Sequence, residues 1–249
     1  MEEVYLAYFD YMGFKEFIEK NEEDKLIERM NHIFRDIEIA LGQGKYQKPK
    51  NGVKYSDLSQ SKINCLNISD TVLFWTNECT YESLKSLIKT AYEFNCLEVG
   101  FNFPIRGALV KGKVNKAIGK QTNSLGATHS VQCLYGKGLI TAHVKAESQN
   151  WSGTVIDQSI IVDIEKETNG IKFLDEFSIK YKVPYKNEVI DYEEYVLRVA
   201  KNISTDLGLK NTKESIEKVF SQDNKSIKSK RVEDKINNTL KFIEFLKGK

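Results

Sequence analysis

Four short apolar runs, interleaved with two stretches of helical spacing, constrain this chain more than any other feature. The runs are Val4–Phe9, Ile63–Ile68, Thr71–Trp75 and Phe103–Val110. Each has strand length and is rich in β-branched or aromatic residues. Between the first and second, apolar side chains from Phe14 to Leu41 recur at helical spacing, and Gly42 and Gly44 supply the stop. Between the third and fourth, Tyr81 to Leu97 carries Leu84, Leu87, Ile88 and Ala91 on one side. Ser69-Asp70 is a single polar step between the second and third runs, which predicts a tight hairpin. The resulting order is that of a ferredoxin-like βαββαβ core in an α+β fold.

Beyond that unit the pattern is less regular. Residues 43–61 are polar with Gly and Pro and predict a loop. Lys111–Thr128 reads as a surface excursion, Val131–Ala146 as a helix, Thr154–Ile164 as a strand, and Phe177–Val183 as a last strand ended by Pro184. From Ile190 the composition turns polar and helical. In the basic stretch Ile227–Lys249, Val232, Ile236, Leu240, Ile243 and Leu246 share a face, and the charges read as a solvated helical surface. The expected division is a core domain over residues 1–185 and a helical C-terminal extension over 186–249, with no internal repeat.

Composition narrows the function classes. The 37 basic and 35 acidic residues nearly cancel, which argues against a dedicated nucleic-acid binder. No stretch approaches the length of an apolar membrane span, and the acidic, aromatic start lacks the basic region of a signal peptide. The four cysteines, Cys65, Cys79, Cys96 and Cys133, have no metal-ligand spacing and fit a reducing compartment. The expectation is a cytoplasmic protein with no membrane partner and no stable nucleic-acid partner.

Two aspartates stand at the ends of strands. Asp10 closes the first apolar run, and Asp70 lies in the hairpin. In a βαββ sheet the first strand lies beside the hairpin, so the two carboxylates can meet at one edge. Such oxygen ligands suit Mg²⁺ or Mn²⁺ with substrate phosphates completing the shell. The plainer alternative is a helix N-cap at Asp10 and a turn residue at Asp70. Arg106, within a core strand, either binds phosphate or pairs with a buried carboxylate. Lys180 and Lys182 flank the last strand, and both fit lysines guarding an exposed edge. His129 and His143 have no partner spacing and read as structural. Lys137 sits between two glycines without the rest of a P-loop.

The local strings resemble a known family. Tyr8-Phe9-Asp10-Tyr11-Met12-Gly13-Phe14 is similar to the F-x-D-x-x-G-F motif that opens class III adenylate and guanylate cyclase domains. Asn67-Ile68-Ser69-Asp70-Thr71-Val72 resembles the hairpin carrying their second metal aspartate. Phe103-Pro104-Ile105-Arg106-Gly107-Ala108, with Gly112, resembles their next strand. Tyr135-Gly136-Lys137-Gly138-Leu139-Ile140, leading to Gln149-Asn150-Trp151, is most similar to the cyclases of the pyrimidine cyclic nucleotide antiphage system (Pycsar), which make cUMP or cCMP. The resemblance spans roughly residues 4–183. It implies a homodimer that converts a nucleoside triphosphate to a 3′,5′-cyclic nucleotide and pyrophosphate. It also implies two Mg²⁺ or Mn²⁺ ions at catalytic Asp10 and Asp70, with the Tyr11 backbone carbonyl as a further ligand. Nucleotide contacts are implied at Gly13, Phe14, Leu66, Asn67, Arg106, Cys133, Lys145 and Lys182.

The departures from that family are as informative. Leu66 stands where its purine cyclases carry a base-reading lysine, and Cys133 where they carry an aspartate. Their helix Asn and Arg fall on Ile140 and Val144, or one place later on Thr141 and Lys145. A pyrimidine substrate, UTP or CTP, follows as the expectation. Two other functions remain open: a cyclic-oligonucleotide polymerase of related palm fold, without its GG[DE][DE]F string, and an inactive dimeric nucleotide-sensing module.

Overall fold

A computed structural model describes residues 2–187, 189–200 and 203–249. The first part of the chain forms β1 (Glu2–Tyr11), α1 (Phe14–Lys20), α2 (Glu23–Gly42), β2 (Asn64–Ile68), β3 (Thr71–Trp75), α3 (Tyr81–Phe101) and β4 (Ile105–Thr122). These are the expected βαββαβ elements, with strands in the spatial order β2-β3-β1-β4 and every neighbour antiparallel.

From Val4 to Phe9 strand β1 is apolar because both its faces are covered there. Tyr5, Ala7, Phe9 and Tyr11 enter the main core beneath α2 and α3, while Val4, Leu6 and Tyr8 enter a smaller cluster on the other face. The long helical stretch after Gly13 is two helices, broken at Asn21. The Asn21 side-chain amide donates to the Phe17 carbonyl at 2.8 Å and to the Asp223 carbonyl at 2.7 Å. Helix α3 begins where the Thr80 hydroxyl accepts the Ser83 N–H.

The second half departs from expectation in three places. The excursion over 111–128 is mostly strand, because β4 runs on to Thr122 and pairs with β5 (Thr128–Tyr135) in a two-stranded ribbon. Val131–Tyr135 therefore belongs to a strand, and the helix α4 (Lys137–Ser148) starts only after Gly136. That turn needs glycine: Gly136 has φ 150°, and a Cβ there would lie 2.4 Å from the Lys113 carbonyl oxygen. One turn on, a Cβ at Gly112 would lie 2.5 Å from the Gly138 Cα, so α4 packs backbone against backbone on β4.

The supposed strand 154–164 is β6 (Gly153–Ile156) followed by α5 (Gln158–Glu165). Its isoleucines suggest a strand, but the Asp157 carboxylate caps a helix by accepting the Ser159 N–H at 2.9 Å. After α6 (Gly170–Asp175) and β7 (Ser178–Tyr181), the polar stretch past Ile190 supplies one more strand, β8 (Glu194–Leu197). It lies between β6 and β7.

Helices α7 (Asp206–Ser221) and α8 (Lys230–Leu246) close the fold. Phe242, Ile243 and Leu246 of α8 are buried in the main core, and the Phe242 ring meets Trp151 edge-on at 4.8 Å. The chain beyond residue 185 thus contributes a strand and two helices to the same core, α7 through Ile216 and Phe220. Among the described residues no helix is long and apolar enough to cross a membrane.

Candidate functional site

The site lies on the sheet face opposite α2 and α3, where β1, β3 and β4 present alternate residues toward α4. Asp10 and Arg106 are direct cross-strand partners in the β1–β4 register. The Arg106 Nε donates to Asp10 Oδ2 at 2.8 Å, and its Nη2 reaches the same oxygen. Asp10 therefore caps no helix, and the N-cap of α1 is Gly13. Asp70 follows Ser69, which has φ 54°, and its carbonyl accepts the Tyr11 N–H at 2.8 Å, fastening the hairpin to the end of β1.

The two carboxylates act on each other. Burial holds the Asp10 carboxyl above its ordinary pKa; Arg106 opposes that shift, and the negative charge of Asp70 adds to it. The Asp70 carboxylate and Asp10 Oδ1 accept no hydrogen bond from any described residue.

The pair is a candidate place for a divalent cation. Among the described residues, no group of three or more His, Cys, Asp or Glu side chains converges. Two mutually repelling carboxylates with unspent oxygens still fit Mg²⁺ or Mn²⁺, ions that take one or two carboxylates and complete their shell with water and phosphate.

Beside Asp70 runs an apolar groove of about 510 Å³ between the hairpin, β5 and α4. Tyr8, Leu66, Leu73, Cys133, Ile140 and His143 line it. The Tyr8 hydroxyl lies 3.0 Å from His143 Nδ1 and the rings meet edge-on at 5.4 Å. Leu66 and Cys133 thus share one groove. Asn67 does not: it pairs with Val72, whose side chain enters the core on the other face, and its amide donates to the Thr71 carbonyl at 3.1 Å.

Several other expected contacts are spent within the fold. Phe14 is buried against Tyr11 and Phe103, and the Tyr11 hydroxyl donates to buried Glu98. Gly13 abuts Lys225, whose Cδ a Cβ there would approach to 3.3 Å. Lys145 is locked between Asp157 at 2.9 Å and Glu194 at 2.7 Å. Burial works against its charge, but the bonds to Glu194 and Asp157 prevail and raise its pKa. Lys182 pairs with Asp191 at the surface, and Lys180 lies over the Tyr195 ring. Ile140 and Val144 are exposed on α4.

The cations near Asp10 are others. Glu147, on the last turn of α4, bridges Arg106 and Lys186 through its carboxylate. Lys235 of α8 lies within electrostatic reach of Arg106 and Asp10. The Thr239 hydroxyl, one turn along, accepts the Ser152 N–H at 2.8 Å, and the next residue, Gly153, pairs with Arg106 in the β4–β6 register. Lys186 and Lys235 are both brought down to about 8, chiefly by burial and then by the positive charges of Arg106 and Arg231. Sequence reasoning missed both lysines. Lys186 follows a proline-ended strand and Lys235 sits in a basic tail, so only their placement in space marks them.

No protein-family model and no curated protein matches the sequence. Solved structures do. The guanylate cyclase domain of RhGC from Catenaria anguillulae, in complex with GTP, matches with a TM-score of 0.51 at 14% identity, over 79% of this chain and 96% of that one. The non-canonical dimeric guanylyl cyclase domain of the RhoGC fusion protein from Blastocladiella emersonii matches with 0.50 at 14% identity, over 79% and 96%. The catalytic core of a rhodopsin-guanylyl cyclase with converted specificity, in complex with ATPαS, matches with 0.52 at 13% identity, over 80% and 96%. The chain therefore has the fold of nucleotide cyclase catalytic domains.

Proposed function

We propose that this protein is a metal-dependent nucleotidyl cyclase that converts a nucleoside triphosphate to a 3′,5′-cyclic nucleotide and pyrophosphate. The observation that carries the reading is the Asp10–Asp70 pair: two interacting carboxylates with free oxygens, held at adjoining strand ends of a cyclase fold. In the reaction the ribose 3′ oxygen bonds to the α-phosphorus and the bond from that phosphorus to the bridging oxygen breaks. Pyrophosphate and the hydroxyl proton leave. Asp10, Asp70 and the Tyr11 carbonyl would hold two Mg²⁺ or Mn²⁺ ions, which when bound activate the hydroxyl and offset charge on the leaving group. Arg106 holds the Asp10 carboxylate in place through Oδ2 and leaves Oδ1 to face the ions that Asp10 and Asp70 would bind. Positioning and electrostatics supply most of the acceleration in phosphoryl transfer.

The groove beside Asp70 is the proposed base site, and UTP or CTP the proposed substrate. Leu66 and Cys133 offer a purine edge neither a buried cation nor a carboxylate. A site lacking such partners forgoes the discrimination they provide. With Asn67 on the other sheet face, Tyr8 and His143 become the polar groups facing the base. The groove is open to solvent, and exposed Ile68, Ile140 and Val144 surround it, which supports a homodimer whose second chain covers it. A role in antiphage defence rests on the resemblance of the Tyr135–Ile140 string.

A second reading is favoured by one observation. Ile140 and Val144 offer no transition-state contact, and Arg106 already occupies Asp10, as in a module that binds nucleotide without turnover. Incubation of pure protein with each of the four triphosphates and Mn²⁺, followed by mass spectrometry, decides between them. A cyclic mononucleotide, chiefly cUMP or cCMP, is the expected product. A pool of almost only cAMP or cGMP removes the pyrimidine assignment, and no product with bound nucleotide selects the second reading.

A further inference from the structure

Helix α8 lies far from Asp10 in sequence, yet it brings a lysine within electrostatic reach of it. Lys235 is 8% exposed; its carbonyl accepts the Thr239 hydroxyl, but its ammonium makes no hydrogen bond or ion pair with any described residue. Arg106, 7% exposed, leaves its Nη1 buried without a partner. A buried cation without a counter-charge is costly, and folds do not keep one for stability. Around these two groups the acids are already shared: Asp10 pairs with Arg106, and Glu147 is divided between Arg106 and Lys186. Arg231, one turn before Lys235, stands exposed at the rim and within electrostatic reach of both lysines. The local excess is four cations, Arg106, Lys186, Arg231 and Lys235, against three carboxylates, Asp10, Asp70 and Glu147.

We propose that α8 completes, within the same chain, an oligophosphate-binding cradle in which Lys235, Lys186 and Arg106 Nη1 take the triphosphate tail of a nucleotide held at Asp10 and Asp70. The identity of the ligand rests on the cyclase reading; the cradle itself rests on the unpartnered cations. The lysines expected from sequence to take the phosphates are not available, since Lys145 is locked by two carboxylates and Lys182 points to the surface. Glu147 is the placeholder. Its carboxylate lies on Arg106 and Lys186 where a phosphate oxygen would lie, and at 41% side-chain exposure it is free to swing out. Charge-assisted bonds to phosphate are the stronger class of hydrogen bond, and a lysine gives a point charge suited to a flexible chain of phosphates.

The test is calorimetric titration of the full chain with inorganic tripolyphosphate in the presence of EDTA, so that metal binding at Asp10 plays no part. Wild type should bind. Lys235→Met and Lys186→Met should each weaken binding by about tenfold or more, and Glu147→Gln should tighten it. Lys225→Met, at a buried lysine with partners of its own, should leave it unchanged. Equal affinity for wild type and Lys235→Met overturns the cradle, as does a wild type that does not bind tripolyphosphate. The two readings fail separately. Lysine-dependent binding in a protein that cyclises no triphosphate supports the cradle and removes the cyclase, whereas cyclisation with an unchanged KM in Lys235→Met does the reverse.

Discussion

Two arginines in this molecule are equally buried and differently employed. Arg29, 6% exposed on α2, spends all its nitrogens: Nε on Asp223 at 3.0 Å, Nη1 on the Asn102 side chain at 3.1 Å, and Nη2 on the Asn102 carbonyl. Its guanidinium also lies over the Phe103 ring, 5.1 Å from the centroid. Arg106, 7% exposed on β4, shares two carboxylates and leaves Nη1 unused. Around Arg29 each charge has a fixed partner, and the network ties α2 to the turn that precedes α8. Around Arg106 cations outnumber acids, and one of the acids, Glu147, is 41% exposed. Saturation marks the structural seat, and unspent donors mark the one that awaits a ligand.

The largest effect separating the two seats should come from Arg29→Met. Asp223 has 3% side-chain exposure and would lose its charge partner. Breaking a buried pair this way costs about 3–5 kcal/mol, read as a lowered denaturant midpoint, and a midpoint equal to wild type would erase the distinction. Next comes Asp10→Asn, which should cut turnover about a hundredfold or more, since a metal ligand is lost. Stability should stay within about 1 kcal/mol, because the amide oxygen still accepts from Arg106 and the repulsion from Asp70 is gone. Undiminished turnover in Asp10→Asn would sink the metal assignment.

A smaller effect of opposite sign is expected at Lys235. Lys235→Met fills a similar volume and removes a desolvated charge without a partner, so the ligand-free protein should gain about 1–3 kcal/mol. A loss of stability would mean that Lys235 has a structural partner after all. The subtlest test is the pH dependence of that gain. Lys235 is held near 8 in the fold and is near 10.5 when unfolded. Below about 8 both states are protonated and the burial cost is present in full. Between about 8 and 10.5 the unfolded chain binds more protons, so wild-type stability rises with pH. The advantage of Lys235→Met should therefore shrink across that window in parallel thermal melts, and a constant gap would show that Lys235 is not the titrating group.

The same contrast explains what was legible in the sequence. The βαββαβ unit and the Asp10–Asp70 juxtaposition could be read directly, because β1 from Val4 to Phe9 and most of β3 are buried on both faces and so are apolar. Strand β5 could not be. Its ribbon stands clear of the core, most of its residues are exposed, and no hydrophobic period of two survives. Helix α5 was hidden by Ile160, Ile161 and Ile164, whose β-branching suits a strand, although Asp157 was a readable cap. Strand β8 lies in a polar stretch and enters the sheet through only four residues. The contacts around Asp10 were the least legible. Lys186 and Lys235 look like any solvated lysine until the pairing of Thr239 with Ser152 brings α8 to the end of β6.

The docking of α8 also bears on how the protein comes into being. Translation runs from the N-terminal side, so β1, the hairpin and both aspartates emerge long before Lys235. Phe242, Ile243 and Leu246 belong to the main core, and that core stays open until those residues are out. A nascent or prematurely ended chain thus carries the two carboxylates without the helix that sets cations beside them.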